Sequence, residues 1–355
     1  MSTLRALSAN RTTSGIVFAL LSAATFGISG PLGKSLLEAG WSSGAVVGAR
    51  IGLAALILVI PAAWTMRGQW SRLRGGLGLM AAYGSVAIAL CQFFYFNAVA
   101  RMSPPVALML EYLAPIILVG WAWLRTRRRP GRLTVGGTVV AMLGLALVLD
   151  VLGAQRVDPV GVAWGVAAAV CLAVYFVLSA KSDGVLPPVV TVAGGMVFGS
   201  VTIGVLAAVG VLPVEATFGS VDLLGTETSW LVPVLGITLV SAVVAYLLGI
   251  VGTQRLGSKL ASFVSLTEVL FAVIASWIMI GDVPGPVQGI GGALIVAGVV
   301  MVRFDEPRAG AGPMHPAAPV APEALPAVPE EADPAPASAT PGGAPGGLPG
   351  VGRRA

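Results

Sequence analysis

Of 355 residues, 56% are hydrophobic and only 10% charged, against about 25% charged in a soluble domain, which excludes a soluble globular fold for the body of the chain. The formal charge of +5 does not signal a nucleic-acid partner, because most Arg and Lys residues lie in short connections beside apolar runs and act as orientation signals. Cys91 and Cys171 fall inside apolar segments and the one histidine, His315, lies near the C-terminus, so a disulfide framework and a His/Cys metal site are excluded and no cofactor is expected.

Residues 1–13 read as a short cytoplasmic N-terminus. The apolar stretch from Ser14 is too long for a signal-peptide core and runs on through Lys34, so it reads as the first membrane helix. A helix needs about 20 apolar residues to cross a bilayer, so roughly 300 residues with short connections allow about ten crossings. Apolar windows closed by Arg, Gly, Pro or acidic residues place them at 14–36, 43–65, 76–100, 104–124, 133–152, 159–181, 188–212, 229–254, 259–280 and 285–303. Pro104 and Pro188 fall at or next to a first helical position, where the missing N–H does no harm. The runs are apolar on every face, unlike the alternation of a β-barrel strand, so the fold expected is all-α integral membrane. Residues 304–355, rich in Pro, Ala and Gly, lack the apolar mass to offset ordering entropy and read as a disordered cytoplasmic tail.

With the N-terminus inside, the inner face receives Arg5, Arg11, Arg67, Arg72, Arg74, the cluster Arg125, Arg127, Arg128, Arg129 and Arg132, then Lys181, Arg255, Lys259 and Arg303. The outer face keeps Lys34, Arg101 and Arg156, and the longest outer connection, 213–226, has neither Lys nor Arg. This asymmetry predicts that both termini are cytoplasmic, and the membrane expected is the plasma membrane. An offset of 154 positions aligns 98–148 with 252–302 without a gap, pairing Arg101 with Arg255, Trp123 with Trp277, Pro130 with Pro284, Gly137 with Gly291 and Gly144 with Gly298. The chain therefore reads as two five-helix repeats, 14–152 and 159–303. Five is an odd number, so the second copy is inverted, an arrangement typical of secondary transporters with a substrate site near the midplane. Gly137 and Gly144, like Gly291 and Gly298, lie two turns apart on one face and suit close helix packing.

The stretches FGISGPLGKSLLEAGWSSGAVVGARIGLA, VARMSPPVALMLEYLAPIILVGW and LGSKLASFVSLTEVLFAVIASWIMIGD, with the five-span repeat, resemble the EamA-type transporters of the drug/metabolite transporter superfamily over residues 14–303. Lys34 and Arg50 match the Lys and Arg of that family's first two spans, Pro115 its fourth-span Pro, and Glu268 the Glu of its ninth-span Glu-Pro pair. The ALMLEYLAP stretch with Glu111 is most similar to the branch containing bacterial threonine/homoserine exporters. Val269 stands where the family carries Pro, which argues against a helix break beside Glu268.

Only Arg50, Glu111 and Glu268 are ionisable and well inside spans. A charge at mid-bilayer costs about 3 kcal/mol even on the lower scales, so such residues face partners or a water-filled cavity. At 1.5 Å per residue, Arg50 and Glu111 each lie about 10 Å from the outer start of their spans and share a depth. Arg50 suits a substrate carboxylate and Glu111 an ammonium group; the alternative is a permanent Arg50–Glu111 ion pair joining two helices. Glu268 lies about 14 Å from the inner end of its span, near the midplane of a core about 30 Å thick, where a titratable group can exchange a proton with either side; its alternative is a Glu hydrogen-bonded between helices. Lys34, near an outer span end, is an interfacial anchor or a ligand. Pro31 with Gly30, and Pro115, are hinge candidates. Tyr83, Phe93, Tyr95, Tyr112, Tyr175 and Tyr246 either line a cavity or pack.

The function expected is a secondary-active exporter of a small metabolite such as an amino acid, with efflux of an amphipathic cation on the same fold, or a non-transporting scaffold, as alternatives. No intramembrane His and no phosphate-cradling Gly-Lys-Ser/Thr loop are present, so neither an enzyme nor an ATP-driven pump is expected. Expected partners are the lipid bilayer, the substrate, protons as a candidate coupling ion, and a second copy of the chain as a candidate homodimer.

Overall fold

The computed structural model describes residues 2–99, 101, 104–127, 129–149, 158–223, 225–280 and 284–305. Expectations for the tail 306–355, for Arg128, for Arg156 and for the loop residues 281–283 lie outside the described residues. Among the described residues, nine helices are long and apolar enough to cross a membrane: α1 (Arg11–Glu38), α2 (Ser43–Thr65), α3 (Trp70–Ala98), α4 (Ala107–Thr126), α6 (Pro159–Lys181), α7 (Pro188–Ala208), α8 (Leu231–Leu256), α9 (Ser258–Met279) and α10 (Pro286–Asp305). The fifth expected span is a shorter apolar helix, α5 (Arg132–Val148). The helix containing the start of α1 begins at Ser2, so residues 2–13 continue it as helix.

Local chemistry sets the ends of these helices. In hydrocarbon every backbone N–H and C=O has to be satisfied within the segment, which apolar helices achieve and irregular chain does not. Ser42 caps α2 by accepting from Ala45 N at 3.2 Å, and Asp158 caps α6 by accepting from Val160 N at 3.2 Å, with Pro159 at the first helical position. Gly257, at φ 80°, turns the chain between α8 and α9 in a conformation open to a residue without Cβ.

The expected loop 213–226 is not wholly irregular. It leads into an antiparallel hairpin, β1 (Ser220–Leu223) with β2 (Thr226–Ser229), in register Ser220↔Ser229 and Leu223↔Thr226, with Gly225 at φ 70° in the connection. The all-α expectation missed it because the pairing residues are mostly polar and the strands are four residues each. The segment is tied down by Trp41 Nε1 donating to Thr217 O at 2.6 Å and Ser42 N donating to Glu215 O at 2.9 Å.

Helix contacts pair α5 with α10, α2 with α7, α1 with both α8 and α9, and α6 with both α3 and α4. The α5–α10 crossing is close. A Cβ on Gly144 would lie 2.5 Å from Gly291 O, one on Gly291 2.6 Å from Gly144 O, one on Gly137 2.7 Å from Gly298 O, and one on Gly298 2.5 Å from Gly137 O. The backbones touch, which is the packing expected of these four glycines. One end of the bundle gathers Arg11, Asp183, Arg255, Lys259 and Asp305, linked by Arg11–Asp183 at 2.7 Å, Lys259 Nζ to Thr134 Oγ1 at 3.0 Å and Thr134 N to Asp305 Oδ2 at 3.1 Å. The opposite end carries Lys34, Trp41, the hairpin and the Arg101–Asp158 pair at 3.3 Å.

Candidate functional site

Five helices depart from α geometry at one level. α1 breaks at Ile28, between helices Ser2–Gly27 and Ser29–Glu38, three residues before Pro31, whose missing N–H weakens the turn. α4 breaks at Tyr112 and Leu113, between helices Pro104–Glu111 and Ala114–Thr126, with Pro115 leaving the Glu111 carbonyl without its usual amide. The hinge candidates Pro31 and Pro115 thus each follow a helix break by two or three residues.

α9 corrects the expectation drawn from Val269. It too is broken, at Leu266, between Ser258–Ser265 and Thr267–Ile280. Hydroxyls replace proline as the cause: Ser262, Ser265 and Thr267 donate to the carbonyls of Lys259, Ser262 and Val264 at 2.7, 2.8 and 2.7 Å, competing with backbone amides and bending the helix. α3 and α8 carry π-helical stretches, Tyr83–Leu90 and Leu239–Val244, a geometry that is rare and concentrated at functional sites.

These deformations surround a cavity of about 510 Å³. Arg50, Glu111 and Glu268 all line it, with Lys34, Tyr95, Tyr112, Tyr175 and Tyr246. Arg50 is 7% exposed; its Nη2 donates to Ser241 O at 2.7 Å in the π-helical turn of α8, and its guanidinium lies 5.7 Å from the centroid of Phe26. Glu111, the last residue of its half-helix, accepts from the Cys91 thiol at 3.3 Å. Glu268 sits in the first turn of its half-helix, where the helix end presents partial positive charge. Its carboxylate interacts with the Tyr112 hydroxyl and lies within electrostatic reach of Glu111 and Arg50.

The static Arg50–Glu111 ion pair is absent. Among the described residues the ion pairs are Arg11–Asp183, Lys34–Glu38 and Arg101–Asp158, all at the ends of the bundle. A backbone carbonyl and an aromatic face take the place of a carboxylate beside Arg50, because the π-helical turn brings Ser241 O to the guanidinium. Lys34 stands at the rim, its side chain 57% exposed and 3.7 Å from Glu38.

Tyr83 and Phe93 lie outside the lining. Tyr83 is fully buried with its ring 5.6 Å from that of Tyr175, and Phe93 packs 6.1 Å from Trp164. Tyr83 opens the π-helical stretch of α3, and its ring packs against Tyr175 of α6 and Gly195 of α7. Phe26, Cys91, Gln92 and Ser265 also line the cavity and were not singled out. Gln92 and Cys91, polar groups inside an apolar span, carried the signal; Phe26 carried none.

The two ends of the cavity differ. The rim at one end is formed by Gly30, Lys34 and Leu37, all exposed. At the other, α1 and α8 close on each other: a Cβ on Gly252 would lie 2.9 Å from Ala19 N, one on Gly249 2.9 Å from Ser22 Oγ, and Ser22 Oγ donates to Ala245 O at 2.8 Å. The arrangement holds a guanidinium and two carboxylates, unpaired with each other, in a mostly apolar chamber that several aromatic rings help to line. It is suited to binding a small molecule that carries charge of both signs.

Residues 13–150 and again 159–304 match the EamA-like transporter family. A curated relative, the uncharacterized inner membrane transporter YicL of Salmonella typhimurium (strain LT2), is 24% identical over 306 residues, which cover 84% of this chain and 97% of the relative. A solved protein crystal structure shares the fold at a TM-score of 0.66 and 19% identity, covering 83% of this chain and 97% of that one.

Proposed function

The chain belongs to the EamA-like transporter family and is a multi-pass membrane transporter, and on that premise we propose that it is a secondary-active exporter of a small zwitterionic metabolite of the amino-acid class, working by alternating access. The observation that carries this reading is the presence of Arg50, Glu111 and Glu268 in one cavity with no ion pair among them. Arg50 takes the substrate carboxylate, Glu111 its ammonium group, and Glu268 the coupling proton.

Ten helices in two inverted five-helix repeats make the machine. This is supported by the double family match and by the contacts, since exchanging the halves maps α1–α8 onto α6–α3, α1–α9 onto α6–α4, and the α5–α10 and α2–α7 pairs onto themselves. The π-helical stretches and the breaks of α4 and α9 also recur at the 154-residue offset. Inverted repeats rock about a central site. The arrangement described is then the outward-facing one, with α1 and α8 as the closed inner gate, both termini in the cytoplasm and the chain in the plasma membrane.

Purified protein in vesicles, tested for counterflow across a panel of amino acids and amphipathic cations, decides the substrate class. Exchange of amino acids that is blocked by esterifying their carboxylate supports the reading. A second reading, efflux of an amphipathic cation, is favoured by two carboxylates against one arginine in the chamber; exchange of cations with no response to amino acids would replace the first reading with it.

A further inference from the structure

A second cavity, of about 560 Å³, lies at the opposite end of the bundle from Lys34. Arg11 and Ser14 of α1, Asp183 just before α7, and Gln254 and Arg255 of α8 line it. Three span ends meet there: Arg11 opens α1, Pro188 opens α7 and Leu256 closes α8. The cavity therefore stands at the membrane surface, level with lipid headgroups rather than hydrocarbon.

Its charges are unbalanced. Arg11 donates from Nη2 to Asp183 at 2.7 Å, and a guanidinium with five donors has others to spare. Arg255 has no carboxylate partner among the described residues; its guanidinium carbon lies 4.6 Å from the centroid of the Phe18 ring, a contact that uses none of its N–H donors on an oxygen acceptor. Gln254 is engaged with Ser182 Oγ at 2.9 Å, and Ser14 Oγ donates to Arg11 O at 2.9 Å. Two guanidiniums thus face one space with one carboxylate between them. Planar forks of this kind match the oxygens of a phosphate. Below Ser14 on α1, Val17 and Leu21 are 50% and 49% exposed, an apolar strip on which an acyl chain can lie.

We infer that this cavity binds a phosphate group, from an anionic phospholipid headgroup of the adjoining leaflet or from free phosphate. Basic pockets between membrane helices hold such headgroups, and each arginine near the surface contributes on the order of a fivefold change in binding. Nothing in this site requires the transport assignment to be correct.

The test uses the full-length protein in mild detergent. Short-chain phosphatidylglycerol and, separately, inorganic phosphate are titrated, with lipid occupancy read by native mass spectrometry and phosphate binding by thermal shift. Arg255→Gln and Arg11→Gln should each weaken the response roughly fivefold, while Arg255→Lys should retain part of it. Arg125→Gln is the control, since Arg125 stacks on Trp121 at 5.2 Å but lies outside the cavity. An arginine-dependent response to the lipid alone names the headgroup as the source, and one to inorganic phosphate as well names the soluble ion. Responses that are unchanged in Arg255→Gln, or lost equally in Arg125→Gln, overturn the site. Should Arg11→Gln and Arg255→Gln both fail to fold, retention of phosphatidylglycerol by Arg255→Lys with loss in Arg255→Met decides the same question.

Discussion

Replacing Arg50 by Met separates a structural arginine from a ligand-binding one. The change removes a charged hydrogen bond to Ser241 O and a contact with the Phe26 ring, worth about 1.5–3 kcal/mol and about 0.5–2 kcal/mol respectively. It also relieves the burial of an unpaired charge at mid-membrane, about 2.5–3.5 kcal/mol on insertion scales. These nearly cancel, so membrane abundance and the unfolding temperature of Arg50→Met should stay close to wild type. Substrate binding should not: loss of a guanidinium–carboxylate contact of about 1.5–3 kcal/mol weakens affinity by about 10- to 150-fold. The assay is equilibrium binding and counterflow in vesicles with a transported amino acid and its carboxyamide, compared between wild type and Arg50→Met. The amide, with no carboxylate to lose, should discriminate little between the two proteins. Equal losses for acid and amide would refute a carboxylate contact. Collapse of abundance would show instead that Ser241 O and Phe26 depend on Arg50 for the fold.

Glu268→Gln, which keeps the shape of the side chain, should exchange substrate for substrate yet lose accumulation driven by a pH gradient; wild-type pH dependence in that variant would make Glu268 a structural hydrogen-bonder. Gly144→Leu places side-chain atoms where even a Cβ would lie 2.5 Å from Gly291 O, so overpacking of at least about 1–3 kcal/mol should lower the unfolding temperature and abundance, whereas Gly120→Leu, with open space at its Cβ position, should do neither. A cysteine at position 220 in a Cys91→Ala, Cys171→Ala background should react with a membrane-impermeant reagent from the cell exterior; reaction from the cytoplasmic side alone would invert the orientation.

What the sequence alone determined follows from the expense of exceptions in an apolar medium. An ionised side chain inside a 20-residue apolar window is conspicuous because hydrocarbon penalises it, so Arg50, Glu111 and Glu268, which line one cavity in the structure, stood out as candidates before any coordinates. The glycines at 137, 144, 291 and 298 were legible because only small residues permit backbone contact across two helices, and Pro31 and Pro115 because a missing N–H is a local property of one residue. Tertiary structure decided the rest. The break in α9 has no proline and arises from three hydroxyls satisfying carbonyls of their own turns. The π-helical turns of α3 and α8 have no residue signature, yet that of α8 brings Ser241 O to Arg50, and Tyr83, which opens that of α3, packs outside the cavity lining. Arg50 found a carbonyl and a phenyl ring rather than Glu111 because the partner of a buried charge is chosen among groups from several helices at once. That choice depends on how the helices rotate and shift against each other, and no single window of sequence carries it.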